Sequence, residues 1–276
     1  LGAFKIYGQH MLLYDKERYV YERVIPLMYE SWTREKAPPN FYGSTESGIL
    51  VLENLCESGF YAKKMLDLSG CKVVLKSFAQ YHALSIAHIN KVAADLDSLT
   101  FSDRGNSEWA TQLYPPLVQK LRKHVLPLFS DDVRKKFDHY VTNVSSTIKL
   151  GFSPNEGGFN VILHGDAQCY NMLFKSDDQN NITQCKFIDF QGTRRGSPII
   201  DLMQFLVMSV EFQVFEMNYN ALFSFYLSEF NAILKELKID NPCQNGLNEL
   251  FADLEKYKFF FLYYLTCAVP IFWAGQ

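Results

Sequence analysis

The chain has 276 residues, 48% of them hydrophobic and 21% charged, with a net charge of −3. That composition suits one large globular domain or two small ones and excludes a disordered tail or a fibrous repeat. No basic excess points to nucleic acid or an anionic membrane surface, whereas the 15% aromatic content calls for a bulky core, an apolar pocket, or both.

Apolar residues at Tyr19, Val20, Val24, Leu27 and Met28 predict a helix within residues 15–32, interrupted at Pro26. Pro38-Pro39 marks a break. Phe41-Tyr-Gly43 and Gly48 to Glu53 read as two strands joined by a polar turn. A long amphipathic helix is expected over Val73 to Val92, and another from Ser130, its N-cap, to Leu150. A β-rich stretch follows, with strands at Phe159 to His164, Asn171 to Lys175 and Cys185 to Asp189. Helices are expected again over about 200–211, 216–237 and 244–269.

The six cysteines form no C-x-x-C pair and are too sparse for a disulfide framework. They read as reduced thiols of a cytoplasmic protein. The sequons at Asn143 and Asn181 weigh little beside that. The first residues do not resemble a signal peptide. The longest apolar run, Phe259 to Ala274, contains Pro270 and falls short of the roughly 20 residues of a membrane span. It reads as a buried helix that breaks near Pro270, so no membrane span is expected.

The chemistry lies in the β-rich stretch. His164-Gly165-Asp166 is followed by Asn171, and Ile188-Asp189-Phe190-Gln191 comes after one hairpin. H-x-D-x-x-x-x-N and then an apolar strand ending in Asp-Phe is the catalytic-loop and metal-loop order of kinase-fold phosphotransferases. Alone, His-Gly-Asp is most often a loop turn and Ile-Asp-Phe a strand end. Their order, with a hairpin between, is what carries the reading. Asp166 is suited to orient the attacking hydroxyl and accept its proton. Asn171 and Asp189 offer the hard oxygen ligands that Mg2+ prefers. Two strands joined by a turn would set those ligands side by side. Asp201, opening a helix after Gly196-Ser-Pro198, reads as a brace that accepts N–H bonds from the catalytic loop.

These motifs resemble the ecdysteroid kinase-like (CHK-kinase-like) family, which is related to choline kinases and aminoglycoside phosphotransferases. Tyr14 to Glu17 with Tyr21 and Val24-Ile-Pro26, Leu50 to Leu55, and Phe78 to Ala83 resemble its flanking segments, so the likeness runs from about Tyr14 to near the C-terminus. The resemblance implies an α+β, protein-kinase-like bilobal fold. A small first lobe and hinge would span 1–55, and a larger, mainly helical lobe 56–276. It implies Asp166 as catalytic base, Asn171 and Asp189 as metal ligands, and ATP with Mg2+ as cofactors. It implies that the backbone around Glu53 to Leu55 binds adenine, although Asn54 stands where the family usually has Asp. Glu17 would pair with a strand lysine, here Lys5. Only 16 residues precede Glu17 and none forms G-x-G-x-x-G, so the first lobe is expected to be incomplete.

Gly165 in place of Arg, Asp-Phe-Gln in place of Asp-Phe-Gly, and no A-P-E leave no peptide-docking segment. The expected acceptor is a small molecule with a hydroxyl group, steroid-like or xenobiotic. Alternatives are a choline or aminoglycoside kinase, or a kinase-fold binding protein without turnover. The aromatic residues after Met203, from Phe205 to Tyr264, are expected to be mostly core, with some lining an acceptor pocket.

Overall fold

Pro26 has no N–H to give to a helical ladder, and the chain responds one turn earlier. In the computed structural model, which describes residues 13–46, 48–99, 114–124, 126–142 and 144–263, helix α1 (Leu13–Tyr19) widens into a π-helical turn (Val20–Val24). It then closes with a last turn over Ile25–Met28, where Pro26 sits at the start. Widening the ladder just before a proline absorbs the missing bond without ending the helix. Val20, Tyr21, Val24, Ile25 and Met28 are buried by it. The expected strands form an antiparallel hairpin, β1 (Phe41–Ser44) and β2 (Leu50–Leu52), with an irregular step between Phe41 and Gly43. Lys5, Asn143, Cys267 and the expected break at Pro270 lie outside the described residues.

Helix α2 (Leu68–Ile86) is capped by Asp67, whose carboxylate accepts the Gly70 N–H at 2.8 Å. The single helix expected to reach Val92 is instead two, because α3 (Ile89–Ser98) starts after a break at Ala87-His88. The reason lies at Ser85. Its hydroxyl donates back to the His82 carbonyl at 2.7 Å and accepts the Ile162 N–H at 2.9 Å, which ties the end of α2 to a strand. Next come α4 (Tyr114–His124), α5 (Asp131–Thr142) and α6 (Val144–Phe152). Ser130 caps α5 as expected, its hydroxyl lying 3.5 Å from the Val133 N–H.

Strand β3 (Val161–Leu163) pairs antiparallel with β6 (Arg194–Gly196), and β4 (Met172–Ser176) with β5 (Ile182–Phe187). Arg-Arg-Gly carries no strand pattern, so β6 is invisible to periodicity. Its pairing with β3 is long-range and returns the chain beside the catalytic loop. Helices α7 (Ile199–Ser209), α8 (Phe212–Leu237) and α9 (Leu247–Tyr263) follow, α8 packing on α2 and α9 on α6. The result is an α+β fold with a helical majority and small antiparallel sheets.

Most of the described aromatic residues are core. Phe78 sits 4.5 Å from Phe187 and 6.0 Å from Phe205, ring centre to ring centre. Phe205, Phe223, Tyr226, Phe230 and Phe260 are fully buried. Phe212 and Tyr219 on α8 differ, at 69% and 41% exposed. No helix among the described residues is long and apolar enough to cross a membrane. The five described cysteines form no disulfide.

Candidate active site

Strand β3 ends at Leu163 and delivers His164-Gly165-Asp166 to the surface of the core. Gly165 takes φ +81°, and a Cβ there would lie 1.8 Å from the Gly192 carbonyl oxygen. Only glycine tolerates both the left-handed backbone and that approach. Gly165→Ala is expected to destabilise the protein by at least about 2 kcal/mol, read as a lowered midpoint in urea denaturation.

The loop is held from three sides. Asp201, buried at the start of α7, accepts the His164 N–H (2.7 Å) and the Gly165 N–H (2.9 Å), and it pairs with His82 Nε2 at 3.1 Å. His82 Nδ1 in turn meets the Tyr226 hydroxyl at 2.9 Å. Burial works against the Asp201 carboxylate. The His82 bond, the nearby His82 and His164 rings and the Gly165 N–H outweigh it and hold the group below the usual carboxylate range. The brace read from the sequence is therefore present, with His82 and Tyr226 as unforeseen members. His164 accepts the Asp166 N–H on Nδ1 at 3.3 Å and faces the Ile188 carbonyl through Nε2 at 3.0 Å, so Nε2 carries the proton. Its ring links the His164–Asp166 loop to the Ile188–Gln191 segment. Arg194 is the third clamp. Fully buried, it donates to the carbonyls of Gly151, Gly165 and Gly192 and lies 4.6 Å over the Phe152 ring. Nothing in an Arg-Arg pair on the page of the sequence distinguishes such a staple from a solvated charge.

The hairpin β4–β5 pairs Met172 with Phe187, and the Ile188 N–H donates to the Asn171 carbonyl at 3.0 Å. Asn171 and the residue before Asp189 are thus fixed across one rung, as the sequence implied. Asn171 Nδ2 donates to the Asp166 carboxylate (2.8 Å) and to its carbonyl (3.0 Å), which leaves the amide oxygen as the atom able to ligate a cation. Asp189 is held in the left-handed region, at φ 64° and ψ 66°. A non-glycine residue there stores strain of about 1–2 kcal/mol. Burial first, and the Asp166 charge second, push its carboxyl above the usual range. A buried carboxylate raised by a neighbouring carboxylate's charge is what a divalent cation relieves. One carboxylate and one amide oxygen also suit Mg2+, which keeps waters and takes phosphate oxygens for its other positions. Among the described residues no cluster of three or more His, Cys, Asp or Glu offers a competing, all-protein metal cage.

Glu17 projects from α1 onto this loop and accepts the Phe190 N–H at 3.2 Å. Its carboxyl is pushed up to about 7, by burial first and by the Asp189 charge second, with the Phe190 N–H opposing. One turn on, the Tyr21 ring stacks on Phe41 and meets the Phe190 ring edge-on. Beside Glu17, Lys16 is buried, and burial together with the Arg194 charge pushes its ammonium down to about 7. The Glu17–Lys5 pair cannot be placed, because Lys5 is outside the described residues. What Glu17 does hold is the backbone after Asp189.

After β2, the Glu53 N–H and Asn40 carbonyl bond at 2.9 Å, and the Glu53 carboxylate accepts from the Asn40 backbone and side chain. The Leu55 carbonyl accepts from Ser58 and Phe60. Neither the Glu53 carbonyl nor the Leu55 N–H finds a partner among the described residues, which leaves one acceptor and one donor two residues apart.

Fold and site together define a kinase-like phosphotransferase. The model of the ecdysteroid kinase-like family matches residues 5–239, and the chain belongs to that family, which makes it a small-molecule kinase. No curated protein matches it. Among solved structures it is similar to a gentamicin–APH(2")-IIa complex (13% identity, 82% of this chain and 68% of that one, TM-score 0.41). It is also similar to macrolide 2'-phosphotransferase MphH from Brachybacterium faecium (16%, 91% and 75%, TM-score 0.38). A third is aminoglycoside phosphotransferase APH(3'')-Id from Streptomyces rimosus, in complex with ADP and streptomycin (10%, 91% and 80%, TM-score 0.36).

Proposed function

We propose that the protein transfers the γ-phosphate of ATP to a hydroxyl of an apolar small molecule, such as an ecdysteroid, with Mg2+, in the cytoplasm. The observation that carries this reading is the convergence of Asp166, Asn171 and Asp189. Asn171 Nδ2 bonds Asp166, and the Asp166 charge acts on Asp189.

Asp166 orients the acceptor hydroxyl and takes its proton as that oxygen bonds to the γ-phosphorus and ADP departs. Asn171 and Asp189 would hold the metal, which neutralises charge on the phosphates when bound. The Glu53 carbonyl and Leu55 N–H would accept from and donate to the adenine edge, at the junction of a smaller N-terminal lobe (1–55) and a larger lobe (56–276). Glu17 keeps the metal loop seated and is available to a phosphate-contacting lysine, Lys5. The exposed Phe212 and Tyr219 at the start of α8 are the residues through which the acceptor's apolar body would be met. Phosphorylation of a steroid or xenobiotic needs no nucleic acid or membrane.

The test is product mass spectrometry with ATP and a library of hydroxylated steroids and xenobiotics. One acceptor gaining a phosphate is the expected result. Chelating Mg2+, or Asp189→Ala, is expected to abolish transfer, and full turnover in excess chelator would contradict the metal assignment.

A further inference from the structure

Two glutamines outside the phosphotransfer motifs converge on Asp166. Asp166 Oδ1 accepts from Gln204 Nε2 at 2.9 Å and from Gln168 Nε2 at 3.0 Å. Oδ2 accepts from Asn171 Nδ2 at 2.8 Å. Gln204 lies on α7, one turn after Asp201, and is 2% exposed. Chemistry fixes which way its amide points. The Ala167 N–H only donates, so Gln204 Oε1 faces it, at 3.1 Å. A carboxylate only accepts, so Nε2 faces Asp166. One buried side chain thus holds both the reacting carboxylate and the backbone beside it. Gln168 adds the second donor, and its own N–H bonds the Asp166 carbonyl at 3.0 Å. The Gln168 Oε1 is buried with no partner among the described residues.

The consequence is an asymmetric carboxylate. Each carboxylate oxygen offers about two lone-pair directions. Both are taken at Oδ1 and one at Oδ2. Turning the group about Cβ–Cγ would break three bonds at once.

We propose that Gln204, supported by Gln168, is a positioning residue that locks the Asp166 carboxylate and leaves Oδ2 as the oxygen presented to the acceptor hydroxyl. This rests on Asp166 being the base. Helix α7 then serves the loop twice: Asp201 holds its backbone and Gln204 aims its side chain.

The test separates those two jobs. Gln204→Glu keeps an oxygen for the Ala167 N–H but replaces the donor facing Asp166. Gln204→Met removes both. Rates are read as ADP formed from Mg2+-ATP with water as the acceptor, and loop anchoring as hydrogen exchange at the Ala167 amide. Gln204→Glu is expected to lower kcat by about tenfold or more, the scale of a misplaced catalytic group. Its KM for ATP should stay within about twofold, as uniform binding is untouched, and Ala167 exchange should be unaltered. Gln204→Met is expected to lose rate and also to speed that exchange. Gln204→Glu with wild-type kcat, KM rising in step with falling kcat, or Gln204→Met with unaltered exchange would overturn the proposal. Hydrolysis that survives Asp166→Asn would instead sink the assignment of the base, and the exchange result for Gln204 would stand apart from it.

Discussion

Asp166→Asn is expected to lower phosphate transfer by about 10²–10⁴-fold, the contribution of a positioned general base, with nucleotide affinity nearly unchanged. The reason for the large rate effect is local. Asp166 is the acidic group at the end of β3 to which Asn171 of the metal pair is bonded. The positions proposed to bind adenine, Glu53 and Leu55, belong to another segment, so nucleotide binding should survive. The substitution also has a structural cost that must be separated out. Three amide N–H groups, from Gln168, Gln204 and Asn171, point at the carboxylate. An asparagine offers one oxygen, so at least one donor is left facing another donor, at about 1–3 kcal/mol. Calorimetric titration with ADP alongside the rate assay distinguishes the two. Retained binding with lost transfer supports the base, and transfer near wild type refutes it.

The largest expected effect on stability is at Asp201. Asp201→Ala leaves three buried donors without their acceptor: His164 N–H, Gly165 N–H and His82 Nε2. Removing one partner of such a buried charged network costs about 3–5 kcal/mol, a large share of the 5–15 kcal/mol that holds a typical domain together. Urea denaturation at pH 7 reads it directly. The pH dependence has a definite sign. The folded Asp201 titrates below its unfolded value, so its stabilisation is fully present above about pH 4, the unfolded range, and is lost as pH falls through the folded value. The gap between wild type and Asp201→Ala should therefore hold at neutral pH and narrow in acid. A gap that widens in acid would mean that the carboxylate is not the stabilised form.

The convergence of Asp166, Asn171 and Asp189 was legible because it is set by residues at short range. Asp166 and Asn171 lie five residues apart, and the β4–β5 hairpin forces Asn171 toward Asp189 by register alone. Asp201 was legible as a brace because an acid at the start of a buried helix has few other uses. The clamps around them were not, since each depends on segments distant in sequence. Arg194 reaches Gly151 from β6, Gln204 reaches Asp166 from α7, and Glu17 reaches Phe190 from α1. No local periodicity encodes such contacts. Helix α2 stops short of Val92 for the same reason: Ser85 answers to Ile162 on β3. The aromatic stripe after Met203 shows the limit of composition. Phe205, Phe223, Tyr226 and Phe260 went into the core, and Tyr226 became part of the Asp201 network, while Phe212 and Tyr219 stayed at the surface.

The central claim is that this geometry moves a phosphate from ATP to a hydroxyl through Asp166. Its most direct test is transfer of label from γ-labelled ATP to hydroxylated small molecules, run in parallel for the wild type and for Asp166→Asn that still binds ADP. The account predicts a labelled organic product from the wild type and essentially none from the variant. Equal labelling by both proteins would contradict it.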